Sequence, residues 1–139
     1  MDLNHLHLHV ADLPRSRHFY ETYLGFQEHT RHGDMLFLRN AQGFELALAP
    51  SDELPNFPDW FHFGFRLADP AEVRALNLHM TSAHVPMLIP LFEEVEQVSF
   101  RCSDPDGYGV EVYWEPEVEA AALRPGPAAG LKEGTGPSG

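Results

Sequence analysis

Two stretches of sequence decide the fold: HLHLHVAD at residues 5–12 and HFGFRLAD at residues 62–69. Each begins with histidine, places an apolar residue at every second position and ends in Ala-Asp, and the second follows the first by fifty-seven positions. Alternation with a period of two predicts a β-strand, and an aspartate followed closely by proline is typical of a helix N-terminus. A repeat of this length predicts two copies of one supersecondary unit, related by a pseudo-twofold axis.

The sequence after each stretch predicts the same order of elements in both copies. Asp12 and Asp69 are expected to cap one helix each, and Gly25 has the position of a helix C-cap. Turns containing glycine then separate short strands, and Asp104-Pro105-Asp106-Gly107 predicts a tight turn into the last strand. The prediction is an α+β fold of strand, helix and three strands, twice over, with strands at about 3–10, 26–30, 35–39, 44–49, 61–67, 86–92, 97–102 and 108–114.

The length and composition suit one globular domain. The chain has 139 residues, of which 43% are hydrophobic and 22% charged. We expect the domain to cover residues 1–119, with module one at about 1–50, a linker at about 51–59 and module two at about 60–119. The segment 120–139 is rich in glycine and proline and lacks aromatic residues, so it is predicted to be a flexible tail.

Composition also excludes several classes of partner and compartment. The net charge of −12 repels phosphate backbones and anionic lipid, so neither nucleic acid nor a membrane is an expected partner. No apolar run approaches the ~20 residues that a bilayer span requires, and the N-terminus lacks the features of a secretory signal. The single cysteine, Cys102, cannot form a disulfide within the chain, so we expect a cytoplasmic protein with Cys102 in its core.

The alternation predicts which side chains share a face of each sheet. In both copies the apolar residues must pack against the helices, so His5 and His62 are expected on the opposite face. The same rule places Glu45 and Glu111 beside them, and the repeat makes the two glutamates symmetry mates. Two imidazoles and two carboxylates that converge on a concave sheet suit a divalent ion. We therefore predict one divalent metal ion per site, with zinc, nickel, cobalt, manganese and iron as candidates.

The alternative is that these four residues have ordinary structural roles, because a histidine in a half-buried strand usually packs or hydrogen-bonds, and a strand glutamate is usually solvated. Their recurrence in symmetric pairs on one predicted face favours the metal site. His7 and His9 share that face, but Gly64 and Arg66 stand at the corresponding positions of the second copy. We expect His7 and His9 to line a pocket rather than to bind the ion.

Two groups of motifs resemble the vicinal oxygen chelate superfamily, which includes glyoxalase I, fosfomycin-resistance proteins, bleomycin-resistance proteins and extradiol dioxygenases. The closing motif is DPDGYGVE at residues 104–111. The opening motifs are LNHL at 3–6, VADL at 10–13, RS at 15–16, FY at 19–20 and LGF at 24–26.

The resemblance implies paired βαβββ modules that form a cupped mixed β-sheet with flanking helices around a divalent metal. It also implies a homodimer, often with each metal site built from modules of both chains. By matching motif, His5, His62 and Glu111 take the three ligand positions shared by the enzymes of the superfamily. Glu45 matches the fourth ligand of glyoxalase I.

Other positions depart from the glyoxalase I pattern. His9 and Ala49 stand where that enzyme has an arginine and an asparagine, and Pro58 stands where some members have arginine. The resemblance therefore implies that the glutathione clamp is missing. Since Arg66 is the one basic residue predicted on the metal face, a fosfomycin-type phosphonate site is not expected either.

The expected function is that of a divalent-metal-dependent enzyme acting on a small substrate with vicinal oxygens. Glyoxalase I-like lyase or isomerase chemistry is favoured, on a substrate other than a glutathione adduct, with Glu111 and Glu45 moving a proton. His7, His9, Arg66 and Tyr113 are expected to bound the substrate pocket. The alternatives are an extradiol-type dioxygenase and a non-catalytic binding protein of the bleomycin-resistance type.

Overall fold

Each repeated stretch begins one four-stranded mixed sheet. In a computed structural model, which describes residues 1–117, the first sheet has the strand order β1-β4-β3-β2 and the second β5-β8-β7-β6. The first module consists of β1 (His5–Val10), α1 (Leu13–Tyr23), β2 (Gln27–His32), β3 (Met35–Arg39) and β4 (Glu45–Pro50). The second consists of β5 (His62–Arg66), α2 (Pro70–Ser82), β6 (Met87–Glu94), β7 (Gln97–Ser103) and β8 (Gly109–Trp114).

The predicted order of strand, helix and three strands is confirmed in both modules. In each one the first and last strands pair in parallel, and the remaining neighbours are antiparallel. The predicted tail at 120–139 and the last residues of the predicted second module lie outside the described residues.

The two helices begin where the sequence predicts. Asp12 accepts a hydrogen bond from the Arg15 amide at 3.0 Å, and Asp69 accepts one from the Ala71 amide at 2.7 Å. Each aspartate thereby satisfies one of the free amide groups at its helix N-terminus. After α1, Gly25 adopts a φ of +72°, the left-handed conformation that favours glycine where a helix ends.

Strand alternation sets the two faces of each sheet. In β1 the side chains of Leu8 and Val10 are buried, whereas His5, His7 and His9 are exposed on the other face. Buried residues of both modules form one continuous hydrophobic core, to which α1 contributes Phe19 and Tyr20 and α2 contributes Val73 and Met80. The helix-covered faces therefore hold the modules together, and the histidine-bearing face of β1 remains open.

The predicted tight turn at 104–107 also joins the two modules. The Gly107 amide donates to the Asp104 carbonyl at 3.1 Å, while Asp104 Oδ1 accepts from the amides of Asp106 and Tyr108, each at 2.9 Å. Asp104 Oδ2 accepts from the buried Tyr20 hydroxyl of α1 at 2.7 Å. Burial raises the pKa of Asp104, and the bonds from Tyr20 and the backbone oppose that rise.

Further contacts from the turn region reach the first module. The Asp106 carboxylate accepts hydrogen bonds from the Ala11 amide, the Arg15 guanidinium and the Ser16 hydroxyl, at 3.0–3.2 Å. The Tyr108 hydroxyl donates to the His9 carbonyl at 2.7 Å. The turn therefore fixes the second module against the start of α1.

The environment of the cysteine agrees with a core role. Cys102 is fully buried in β7, and burial raises the pKa of its thiol to about 12. A thiol with so high a pKa is not a nucleophile at neutral pH.

Among residues 1–117, no helix is long and apolar enough to cross a membrane.

Candidate metal centre

His62 and Glu111 form a direct pair on the open face of the second sheet. His62 Nε2 lies 3.0 Å from Glu111 Oε2. The other ring nitrogen, Nδ1, lies 2.8 Å from the carbonyl oxygen of Trp60. Because a carbonyl oxygen only accepts, Nδ1 holds a proton and donates it, which orients the ring and leaves Nε2 directed at the carboxylate.

The chemistry of this pair fits a divalent ion. Imidazole nitrogen and carboxylate oxygen suit ions such as zinc, with ligand distances of about 2.0–2.2 Å. Two ligand atoms 3.0 Å apart can both lie at that distance from one ion. The hydrogen bond from Nδ1 to a backbone carbonyl is the outer-shell contact that metal-bound histidines commonly have.

In the first sheet, His5 and Glu45 are neighbours in the parallel pairing of β1 with β4, where each lies directly opposite the other. His5 Nδ1 lies 2.8 Å from Asn4 Oδ1, so this ring also has an acceptor at Nδ1. Glu45 Oε2 accepts a hydrogen bond from Arg39 Nε at 3.2 Å, and a terminal nitrogen of the same guanidinium group lies 3.2 Å from that oxygen in an ion pair. The carboxylate of the first module is therefore paired with an arginine.

The parallel register of the strands differs between the two modules. Glu45 lies opposite His5, whereas Glu111 lies opposite Gly64, two positions beyond His62. If His5 and His62 are equivalent, then the position equivalent to Glu111 is Ala47, which lies opposite His7. In the antiparallel pairing, by contrast, each glutamate lies opposite an arginine, so the two positions match there. The equivalence of Glu45 and Glu111 therefore holds for one neighbouring strand and not for the other, because the parallel register differs by two residues between the modules.

The four predicted ligands do not assemble within one chain. In the part of the chain that the structure describes, no three His, Cys, Asp or Glu side chains lie close enough together to hold a metal ion. The candidate ligands lie as one pair on each sheet, since the modules pack through their helix-covered faces and the 104–107 turn. The ligand roles of His5, His62, Glu45 and Glu111 stay predictions.

The predicted pocket residues occupy different surroundings. His7 and His9, whose ring centroids are 5.3 Å apart, line a cavity of about 520 Å³ together with part of the linker. Arg66 and Tyr113 lie opposite each other on the open face of the second sheet. The Arg66 guanidinium donates to the Glu115 carbonyl at 2.5 Å.

Two arginines beside the glutamates are missing from the sequence-based site. Arg39 lies opposite Glu45 and Arg101 lies opposite Glu111 on the antiparallel neighbour of each last strand. The spacing hides this match, because six positions separate the first arginine from its glutamate and ten separate the second. Arg66 is therefore not the one basic residue on this face. A lack of cations no longer excludes a phosphonate site.

Arg101 is the more buried of the two arginines. Its side chain is 15% exposed, and its terminal nitrogen lies 3.3 Å from His62 Nε2 and 3.9 Å from Glu111 Oε2. Its Nε is buried and has no hydrogen-bond partner among residues 1–117. Next to the candidate ligands there is thus a cation with an unused donor.

Solved structures with this fold confirm the arrangement of the modules. A possible glyoxalase from Bacillus cereus is 28% identical, with a TM-score of 0.67 and coverage of 81% of this chain and 97% of that chain. The fosfomycin resistance protein FosX from Listeria monocytogenes is 22% identical, with a TM-score of 0.73 and coverage of 88% and 98%. A glyoxalase/dioxygenase from Nostoc punctiforme is also 22% identical, with a TM-score of 0.71 and coverage of 84% and 92%. At 22% identity, the last two show the fold alone.

No curated protein matches the chain. A family model described as the glyoxalase/bleomycin resistance protein/dioxygenase superfamily matches residues 2–112, nearly the whole described part of the sequence. This match agrees with the two βαβββ modules and with the resemblance of the opening and closing motifs. The chain belongs to the glyoxalase/bleomycin resistance protein/dioxygenase superfamily.

Proposed function

We propose that this protein is a divalent-metal-dependent enzyme that acts on a small molecule with two vicinal oxygen atoms. The observation that carries the proposal is the contact between His62 Nε2 and Glu111 Oε2, which are 3.0 Å apart. The hydrogen bond from His62 Nδ1 to the Trp60 carbonyl orients the imidazole ring for this contact. His5 is the third proposed ligand. Glu45 is the fourth candidate, and its carboxylate must leave Arg39 in order to bind the ion.

We further propose that each site is shared between two copies of the chain in a homodimer. The support is the separation of the candidate ligands into two pairs, one on each sheet, with no group of three among residues 1–117. A twofold axis would bring the first sheet of each copy to the second sheet of the other and so build two identical sites. A dimer of this kind completes the ligand set without any change in the fold of either chain.

The proposed chemistry is that of a glyoxalase-like lyase or isomerase. When bound, the ion supplies Lewis acidity to the two substrate oxygens and to the anion that forms on them. The Glu111 carboxylate, which lies opposite Arg101, takes a proton from the substrate carbon and returns it to a neighbouring position. His7, His9, Arg66 and Tyr113 bound the substrate.

A glutathione adduct is not the proposed substrate. His9, Ala49 and Pro58 provide neither the arginines nor the asparagine expected for a glutathione clamp. The second candidate function is ligand binding without chemistry, as in bleomycin-resistance proteins; the two cavities beside the linker favour it. An extradiol-type dioxygenase is the third, for which iron would be the metal. A reduced, buried Cys102 supports a cytoplasmic location for all three.

Elemental analysis of the purified protein and of His62→Ala tests the proposal, with His29→Ala as the control because His29 is an exposed histidine in β2. We expect one divalent ion per chain in the wild type and in the control, and its loss in His62→Ala. Activity is then measured on an α-ketoaldehyde adduct of a small thiol and on a catechol. Full metal content in His62→Ala would contradict the proposal, and ligand binding without metal or turnover would favour the binding protein.

A further inference from the structure

A cavity lies between the linker and the second sheet, close to the candidate metal ligands. It has a volume of about 730 Å³. Residues of three segments line it, together with Arg101: 55–61 between β4 and β5, Leu88 and Ile89 of β6, and 106–109 leading into β8. The linker, which in the structure spans 51–61, therefore forms one wall, and the sheet that bears His62 and Glu111 forms the other.

The linker wall is tied to the candidate site by direct contacts. The Phe61 amide donates to the Pro58 carbonyl at 3.0 Å, which closes a turn at the end of the linker. The next link is the Trp60 carbonyl, which accepts from His62 Nδ1. At Gly109, the first residue of β8, a Cβ atom would lie 3.1 Å from the Phe61 carbonyl oxygen and 3.2 Å from His62 Cβ. The end of the linker and the start of β5 therefore pack closely against β8.

The apolar part of the cavity surface is aromatic and aliphatic, and polar groups form the rest. Phe57 and Phe61 stack with ring centroids 4.5 Å apart and planes 17° from parallel. Trp60 is 71% exposed, and Leu88 and Ile89 are also among the exposed large hydrophobic residues. Apolar side chains held around a concave surface of this size suit an apolar ligand.

The charges in the cavity select the kind of ligand. Arg101 supplies a cation whose Nε has no acceptor among residues 1–117. The Asp106 carboxylate is already bonded to the first module. Asp59, on the linker, is exposed and would repel a second negative charge on a ligand at the linker end of the cavity. One cation beside an apolar wall, with one exposed carboxylate at the other end, favours a ligand with an apolar part and a single negative charge.

We propose that this cavity binds the aromatic part of a monoanionic substrate, with Arg101 bound to its carboxylate or a comparable oxyanion. Arg101 connects the cavity to the candidate ligands, since it lines the cavity and also lies 3.3 Å from His62 Nε2 and 3.9 Å from Glu111 Oε2. The inference rests on the proposed function for its role as a substrate site, but the binding itself requires no metal. Arg101 and the linker thereby determine specificity.

Binding to metal-free protein is the test, with 1-naphthylacetate as the anionic probe and 1-naphthylacetamide as its neutral counterpart. The protein has two tryptophans, so in the variant Trp114→Phe the fluorescence of Trp60 reports the cavity alone. We expect saturable quenching, with the anion bound at least about tenfold more tightly than the amide, because a charged partner strengthens a hydrogen bond to arginine.

Two variants separate charge from shape. Arg101→Gln should reduce the preference for the anion to less than about twofold. The control is Arg74→Gln, which should preserve the preference because Arg74 is an exposed arginine paired with Glu93. Ile89→Ala should weaken both probes, while Val95→Ala, which is 94% exposed in the turn after β6, should change neither. Trp60→Ala removes the fluorescent reporter, so its probe binding is measured by titration calorimetry. This variant should also bind both probes more weakly, and it should still fold because the ring of Trp60 is largely exposed in the wild type.

Equal affinity for the two probes would overturn the proposal. So would affinities that do not change in Ile89→Ala and Trp60→Ala, or cavity variants that alter the oligomeric state instead of probe binding. Since no metal is present, failure here leaves the metal content of His62→Ala to be decided separately. Conversely, if the metal hypothesis is contradicted, the preference for the anionic probe remains a separate test of this cavity.

Discussion

The two modules share their order of elements but differ in how the histidine of the first strand meets the glutamate of the last. In the second module His62 and Glu111 are in contact at 3.0 Å, although they are two register positions apart. In the first module His5 and Glu45 lie directly opposite each other, yet the glutamate is paired with Arg39. A repeated fold therefore does not guarantee a repeated site, because a shift of two positions preserves the face of a strand and changes its neighbours.

The difference predicts an unequal division of work between the modules. The second module presents a preformed pair of candidate ligands, and its arginine lies 3.9 Å from the glutamate. The first presents a histidine alone, since the charge of Glu45 is already balanced by an arginine at 3.2 Å. We expect Glu111 to be essential to the site and Glu45 to assist it.

The largest difference between the modules should appear on removing each carboxylate. Glu111→Gln should weaken metal binding more than about 100-fold, beyond the usual effect of an outer-shell change, because it removes a proposed ligand. Glu45→Gln should weaken it less than about tenfold, because that carboxylate is held by Arg39. Competition titration with a chelating indicator measures both. Equal losses would show that the register shift has no functional consequence.

A smaller difference should appear at the residues that orient the histidines. Asn4→Ala removes the acceptor at His5 Nδ1 and should weaken metal binding about tenfold, as loss of an outer-shell partner does. Trp60→Ala should change metal affinity less than about twofold, because His62 is bonded to the backbone carbonyl of Trp60, which the substitution retains. The same titration compares them, and a greater effect of Trp60→Ala would contradict the proposed orientation of His62.

The smallest effects concern the junction, where each module donates one tyrosine hydroxyl to the other. Tyr20→Phe should lower the free energy of unfolding by about 1–3 kcal/mol, because it leaves a buried carboxylate with one donor fewer. Tyr108→Phe should cost about 1 kcal/mol, because it removes one donor from a backbone carbonyl. Urea unfolding at pH 7 measures both, and a larger loss in Tyr108→Phe would contradict this ranking.

The junction also has a pH dependence with a defined sign. Since burial raises the pKa of Asp104, the folded protein retains its proton above the ordinary value of 3.8, and stability falls as the pH rises from that value through the raised pKa. Tyr20→Phe removes a donor that opposes the rise, so its deficit relative to the wild type should be smallest below pH 3.8 and should grow above it. A deficit independent of pH would show that Asp104 does not titrate differently in the variant.

Much of the fold follows from local signals. Alternation placed His5 and Leu8 on opposite faces, and the aspartates at positions 12 and 69 cap the two helices as predicted. The parallel register did not follow, because it depends on hairpins and crossovers of different length in the two modules. The partnership of Arg101 with Glu111 was hidden for the same reason.

Two other features depend on contacts that no local pattern encodes. The 104–107 turn was predicted as a turn only, since its bonds to Tyr20 and Arg15 join residues more than eighty positions apart. The separation of the four candidate ligands into two pairs follows from how the modules pack through their helices. Both features are tertiary.

The central claim, a metal site completed by a second copy of the chain, is tested most directly by combining His5→Ala and His62→Ala in one heterodimer. The two variants are co-expressed with different affinity tags, and the heterodimer that carries both tags is isolated for metal analysis. In a shared arrangement one of its two sites contains only intact residues, so we predict about one divalent ion per heterodimer and almost none in either variant homodimer. A heterodimer without metal, or the absence of any dimer, would contradict the account.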